Sequence, residues 1–282
     1  MKIAELLKQG AEILSKNLED INAMFESELL LSFVLEKERI YLAVNRHENI
    51  DDETADLFFS YILRRAASEP ISYITGEKEF MSLKFCVCPK VLIPRPDTET
   101  LCCHIIDEFS GEGYNMLDLC TGSGAICVSL AKYIKNTFVD AVDISDICIK
   151  TAKKNAEENG VSNFVNVIKA DILNGFKTSK RYDCIVSNPP YIKSEDISYL
   201  MKDVRDFEPV LALDGGDDGL KFYEKISEIA PPILNQNGML AFEVGHNQSE
   251  TVKNIMMKNG FSDIKIIKDL AGVNRVVSGR RI

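Results

Sequence analysis

The chain has 282 residues, enough for two domains with ample core, and no apolar run in it approaches the span of about 18 residues needed to cross a membrane. Its 43 acidic side chains against 33 basic ones give a formal charge of −10 at pH 7, a balance that repels a phosphate backbone and argues against direct nucleic-acid binding. The start Met1-Lys2-Ile3-Ala4-Glu5 lacks the long apolar core of a signal peptide, so a cytoplasmic protein without a membrane partner is expected.

The stretch to about residue 75 reads as helices. Leu57, Phe58, Tyr61 and Ile62 mark one apolar face and Leu29, Leu30, Phe33 and Val34 another, with charged residues between them. Acidic residues outnumber basic ones there by fourteen to eight, which is wrong for a nucleic-acid arm. Residues 76–92, with Lys84-Phe85-Cys86-Val87 alternating and Pro89 as a stop, read as a hairpin linker. From residue 93 to 282 strand and helix patterns alternate, which argues for an α/β domain built on a parallel sheet with helices on both faces.

Within that region Asn115-Met116-Leu117-Asp118-Leu119 reads as a buried strand, followed by Cys120-Thr121-Gly122-Ser123-Gly124 and a helix from Ala125 to Tyr133. Glycines at such a turn let backbone approach a ligand, and the helix N-terminus offers free N–H groups. The next strand, Phe138 to Val142, ends in Asp143, about 20 residues past the glycines, the spacing at which a carboxylate meets both hydroxyls of a ribose. Cys127 stands where a dinucleotide fingerprint needs its third glycine, so NAD is disfavoured. A third strand, Val165 to Lys169, runs to Ala170-Asp171-Ile172. Asp171 there is either a partner for an adenine amino group or a cap, and Ile172 can pack on the ring.

The run Cys184-Ile185-Val186 leads to Asn188-Pro189-Pro190-Tyr191. The prolines cannot continue a ladder, so this is either a strand-ending turn or a rigid acceptor array suited to a planar –NH2 group, with the Asn188 carboxamide oxygen, the Pro189 carbonyl and the flat ring of Tyr191. Asp214-Gly215-Gly216-Asp217-Asp218-Gly219 is too acidic for a phosphate loop and reads as a substrate-side loop or a plain connection. Gly238 to Val244, Ile264 to Ile267 and Arg275 to Ser278 complete seven strands, with a helix at Ser249 to Asn259. The last two strands are joined too closely for a crossover helix and must be antiparallel. Eight cysteines form no C-x-x-C pair and the three histidines are scattered, so no metal is expected.

Asp118-Leu119-Cys120-Thr121-Gly122-Ser123-Gly124, Asp143, Asp171 and Asn188-Pro189-Pro190-Tyr191 resemble the ordered motifs of S-adenosylmethionine-dependent amino-methyltransferases. More narrowly, Glu69 to Phe80, Leu92-Ile93-Pro94-Arg95-Pro96-Asp97-Thr98-Glu99 and Phe207-Glu208-Pro209 resemble the protein-(glutamine-N5) methyltransferases of peptide chain release factors, the PrmC/HemK family. The resemblance covers essentially the whole chain. It implies a seven-stranded Rossmann-like class I methyltransferase domain behind a small helical substrate-docking domain, although the helical residues alone fit a structural cap equally. It implies S-adenosylmethionine held by Cys120, Thr121, Gly122, Ser123, Gly124, Asp143, Asp171, Ile172 and Asn188. It further implies catalysis by Asn188, Pro189 and Tyr191, and substrate binding by these three with Pro190, on the glutamine of a Gly-Gly-Gln tripeptide in class 1 release factors. Arg95, Glu208 and Glu243 either shape the pocket or form supporting ion pairs. The chain departs from the family at Cys120, usually glycine, which is tolerable if φ stays negative, and at Ile172, often aromatic. Asn-Pro-Pro-Tyr is shared with N6-adenine and N4-cytosine DNA methyltransferases, the alternative within enzymes. A non-catalytic adaptor that binds release factors is the alternative outside them.

Overall fold

A computed structural model describes all residues, Met1–Ile282, in two compact units. The first comprises Met1–Glu77 with Met201–Phe207, the second Lys78–Leu200 with Glu208–Ile282. The hairpin from Lys78 onward thus falls in the second unit.

The first unit is helical: α1 (Ile3–Asn17), α2 (Ala23–Val34), α3 (Arg39–Val44), α4 (Asp52–Ala66) and α5 (Ile71–Thr75). Asn22 and Asp51 start α2 and α4 by accepting the Phe25 and Thr54 N–H groups, satisfying donors that the first turn leaves orphaned. Ile3, Leu6, Leu14, Leu30, Leu31, Phe58 and Ile62 form its core. Leu57 does not belong to the buried face and is 45% exposed; Ala55, Phe58 and Ile62, spaced three and four apart, define that face, and Leu57 lies a hundred degrees round from Phe58.

The second unit opens with a two-stranded sheet, β1 (Glu77–Phe80) and β2 (Leu83–Cys86), then α6 (Pro96–Glu108), β3 (Asn115–Leu119), α7 (Ala125–Tyr133), β4 (Phe138–Asp143), α8 (Asp146–Glu158), β5 (Val165–Lys169) and β6 (Tyr182–Ser187). The chain contributes α9 (Lys202–Arg205) to the first unit and continues with α10 (Lys221–Ile229), β7 (Leu234–Glu243), α11 (Ser249–Lys258), β8 (Phe261–Lys268) and β9 (Asn274–Arg281). The seven-stranded order is β5-β4-β3-β6-β7-β9-β8. All pairs are parallel except those of β9, which runs antiparallel to both neighbours; its pairing with β8 is the one the short β8–β9 connection requires.

Strands in the middle of this sheet are buried on both faces, which is why β3, β4 and β6 read as continuous apolar runs. One core packs α6 and α7 on one face, and a second packs α10 and α11 on the other. Strand order reverses between β3 and β6, so the crevice outside the carboxyl ends of β3, β4 and β6 is the topological place for a ligand.

Candidate active site

A cavity of about 270 Å³ opens at that edge. Its walls include Cys120, Thr121, Gly122 and Ser123 after β3, Asp143 after β4, Asp171 and Ile172 after β5, and Asn188 and Pro190 after β6. Four strand ends, spread over some 70 residues of sequence, therefore converge on one space. Gly124, Pro189 and Tyr191 stand outside its wall. Gly124 is the residue from which α7 starts, Pro189 is buried, and the Tyr191 ring is turned inward, so an added Cβ at Gly245 would lie 3.0 Å from it. The Tyr191 ring, expected from sequence to offer a flat face to a planar group, packs against the β7 end.

The turn after β3 is held from below by Asp118. Its side chain is fully buried, and one oxygen accepts the Thr121 hydroxyl at 2.5 Å and the Cys127 N–H at 3.2 Å, pinning the first turn of α7. The other oxygen has no partner, and burial pushes the carboxyl pKa up to about 7. Asp143 accepts the Gly122 and Ser145 N–H groups, each at 2.9 Å, which fixes its carboxylate at the cavity wall with acceptor lone pairs to spare. Gly122 has φ +57, and a Cβ built on it meets nothing within 4 Å, so a side chain there would project into the space a ligand needs.

Cys120 also has φ +63, against the expectation of a negative value. The turn demands a left-handed residue where the family usually has glycine, and a side chain in that region costs about 1–2 kcal/mol. The asparagine amide of Asn155 on α8 ties the turn to the hairpin, donating to the Ser123 and Cys86 carbonyls at 2.8 and 2.9 Å.

Asp171 acts as a turn cap: it accepts the Leu173 and Asn174 N–H groups and the Asn174 amide, interactions that hold its pKa below the usual carboxylate value. Its position in the cavity wall leaves it able to meet a ligand as well. Ile172, 6% exposed, supplies an apolar surface beside it.

Asn188 donates its side-chain NH2 to the Thr98 hydroxyl at 3.1 Å. Thr98 is the third residue of α6, in the segment that begins Pro94-Arg95, and is itself buried in the wall. The amide is thereby oriented, and Oδ1 is the atom left for the cavity. No backbone N–H donates to the Pro189 carbonyl. Behind them Glu243, the last residue of β7, is 1% exposed; burial lifts its pKa to about 7, while hydrogen bonding by Thr98 and the charge of Arg275 pull the other way.

Gln248 braces the same corner by donating to the Tyr191 carbonyl at 3.0 Å and accepting the Gly245 N–H at 3.0 Å. The acidic glycine loop closes it: Gly219 has φ +74, and a Cβ there would sit 2.4 Å from the Tyr191 oxygen, so only glycine fits. Glu208, its side chain 1% exposed, pairs with Arg95 and accepts the Ile93 N–H, fixing the Pro209–Ala212 wall opposite Pro94.

The apolar walls, the fixed Asp143 carboxylate and the open space over Gly122 fit a nucleoside with a ribose diol. With the strand order above and its antiparallel β9, they define a class I S-adenosylmethionine-dependent methyltransferase. Residues 5–76 match the PrmC N-terminal domain and residues 97–204 the methyltransferase small domain. The chain is 40% identical over 98% of both lengths to the release factor glutamine methyltransferase of Clostridium acetobutylicum, and 39% identical over the full length of both to that of Clostridium botulinum. A solved methyltransferase from Pyrococcus furiosus shares the fold, with TM-score 0.54 and 23% identity over 79% of this chain and 97% of that one. The chain belongs to the release factor glutamine methyltransferase family.

Proposed function

We propose that this protein methylates the side-chain amide nitrogen, N5, of the glutamine in the Gly-Gly-Gln tripeptide of class 1 peptide chain release factors, in the cytoplasm. The observation that carries the reading is Asn188, whose NH2 is tied to Thr98 so that its oxygen faces the cavity. A carboxamide nitrogen is a poor nucleophile because its lone pair is conjugated into the carbonyl. Acceptance of its two N–H groups by the Asn188 oxygen and the Pro189 carbonyl orients the nitrogen and raises its electron density. Positive charge grows on that nitrogen during transfer, so preorganised acceptors there act most strongly in the transition state.

S-adenosylmethionine supplies an electrophilic methyl group on a sulfonium. Asp143 would hold its ribose hydroxyls, Asp171 and Ile172 its adenine, and Cys120 to Gly124 the backbone cradle. Pro190 and Tyr191 stiffen the lip that carries Asn188. The helical unit, about residues 1–75, docks the protein substrate, the hairpin of residues 76–92 links it, and residues 93–282 carry the chemistry.

Methyl incorporation should occur into a wild-type class 1 release factor and be lost when the glutamine of its Gly-Gly-Gln is replaced by alanine. Equal labelling of both would locate the target elsewhere, and labelling of duplex DNA at low salt instead would favour the base methyltransferase.

A further inference from the structure

One face of α8 reaches across to alternate residues of β2 and its continuation. Asn159 donates to the Lys84 carbonyl at 2.9 Å, Glu158 accepts the Cys86 thiol at 3.3 Å, and the Thr151 hydroxyl lies 3.8 Å from the Cys88 sulfur. Asn155 stands in the middle of this row, three or four residues from each of the others, and is fully buried. Its Oδ1 accepts the Cys86 N–H at 2.7 Å. Its Nδ2 donates to the Cys86 carbonyl at 2.9 Å and to the Ser123 carbonyl at 2.8 Å. Both N–H groups and the oxygen are therefore in use. An aspartate could accept but not donate, and a leucine of similar shape could do neither, so the position calls for a carboxamide.

The two ends of this bridge lead to two walls of one cavity. Ser123 lines it at the turn after β3, and Lys90, Leu92, Pro94 and Arg95, on the segment that continues from β2, line another part of it. Asn155 itself is not in the wall. The turn is closed by the Gly124 N–H, which donates to the Thr121 carbonyl at 2.9 Å. Just beyond, Ala125 and Ile126 start α7 and belong to the cavity wall, and no protein acceptor takes their N–H groups. Holding the Ser123 carbonyl fixes the peptide that enters this helix, and so fixes where those free donors aim. We infer that Asn155 is a positioning residue for the cofactor: one buried amide sets the glycine turn against the strand that leads into the neighbouring wall, and S-adenosylmethionine affinity depends on it without contact. This rests on the reading of Cys120 to Gly124 as the cofactor's backbone cradle.

The test measures S-adenosylmethionine binding by calorimetry, beside thermal melts and amide hydrogen exchange of the cofactor-free protein, for Asn155→Ala, Asn155→Asp and Asn159→Ala. Asn159→Ala removes a clip between the same helix and strand but no bond to the turn, so its affinity should stay within about twofold of wild type. Asn155→Ala should bind about tenfold more weakly or worse, and its Gly124 N–H should exchange faster than in Asn159→Ala. Asn155→Asp keeps an acceptor for the Cys86 N–H but sets a carboxylate against two carbonyls, and should bind no better than Asn155→Ala. In methylation assays the loss should appear as a raised KM for the cofactor with kcat little changed, a split that a smaller folded fraction would not produce. Wild type gives a reading that needs no variant: adding S-adenosylmethionine should shift the Asn155 side-chain amide signals in 15N-edited NMR and leave those of Asn159 in place. Folded Asn155 variants that bind within about twofold of wild type, Asn159→Ala binding as weakly as Asn155→Ala, or Asn155 signals that ignore the cofactor would overturn the inference. Should the wild type not bind S-adenosylmethionine, the reading of the cradle falls, while Gly124 exchange still decides whether Asn155 holds the turn.

Discussion

Glu243→Gln should make the protein more resistant to unfolding at alkaline pH. Burial raises the folded-state pKa of this carboxyl from the ordinary 4.5 to about 7. A group raised on folding contributes stability that is fully present below its unfolded pKa and is lost as pH rises through the folded one. Between those values the slope is about 1.4 kcal/mol per pH unit, so wild type loses about 2 kcal/mol from this residue between pH 5.5 and 8. Asp118, also raised to about 7, adds a loss of the same sign, while His104, whose pKa burial lowers, acts in the opposite direction. Comparing wild type with Glu243→Gln cancels both. Urea unfolding followed by circular dichroism at each pH should give a stability difference that shifts by about 2 kcal/mol toward the variant over this range. A difference that stays constant from pH 5.5 to 8 would show that Glu243 is already ionised in the acidic range and that the burial argument is wrong.

Asn188→Ala should slow single-turnover transfer by about 10²–10³-fold, roughly 3–4 kcal/mol, while S-adenosylmethionine affinity changes far less; parallel loss of both would mean the side chain only supports the strand end. Asn188→Asp should fold but remain impaired, because it loses the NH2 that Thr98 accepts. Asp143→Ala should weaken cofactor binding by about 1.5–3 kcal/mol in calorimetry, and unchanged affinity would remove it from the ribose site. Gly219→Ala should destabilise the second unit by at least about 1–2 kcal/mol in thermal melts, since it meets both an unfavourable φ and the Tyr191 oxygen at 2.4 Å; a neutral effect would show that the loop can move away.

The parts of the site legible in the sequence are those that one strand and its following turn carry together. A buried parallel strand is an apolar run, and Asp143, Asp171 and Asn188 announce themselves by ending one. The antiparallel β8–β9 pair followed from connection length alone. What was not legible depends on partners far apart in the chain. Thr98 lies 90 residues from Asn188, Gln248 57 residues from Tyr191, and Asn155 69 from Cys86, and each reads in sequence as an ordinary polar residue near or on a helix. The Arg95–Glu208 pair was visible only as two charges in family-like segments, 113 residues apart. Backbone conformation was hidden too. Nothing in the identity of Cys120 discloses that its turn demands a positive φ, because cysteine rarely adopts one. The packing of the Tyr191 ring against Gly245 is hidden as well, because no local pattern connects the two.

The most direct measurement is tandem mass spectrometry of a purified class 1 release factor after incubation with this protein and S-adenosylmethionine. One added methyl group on the side-chain amide of the Gly-Gly-Gln glutamine, absent when Asn188→Ala replaces the wild type, is the expected result. An unmodified glutamine in the presence of folded, cofactor-binding protein, or a methyl group on any other residue, would contradict it.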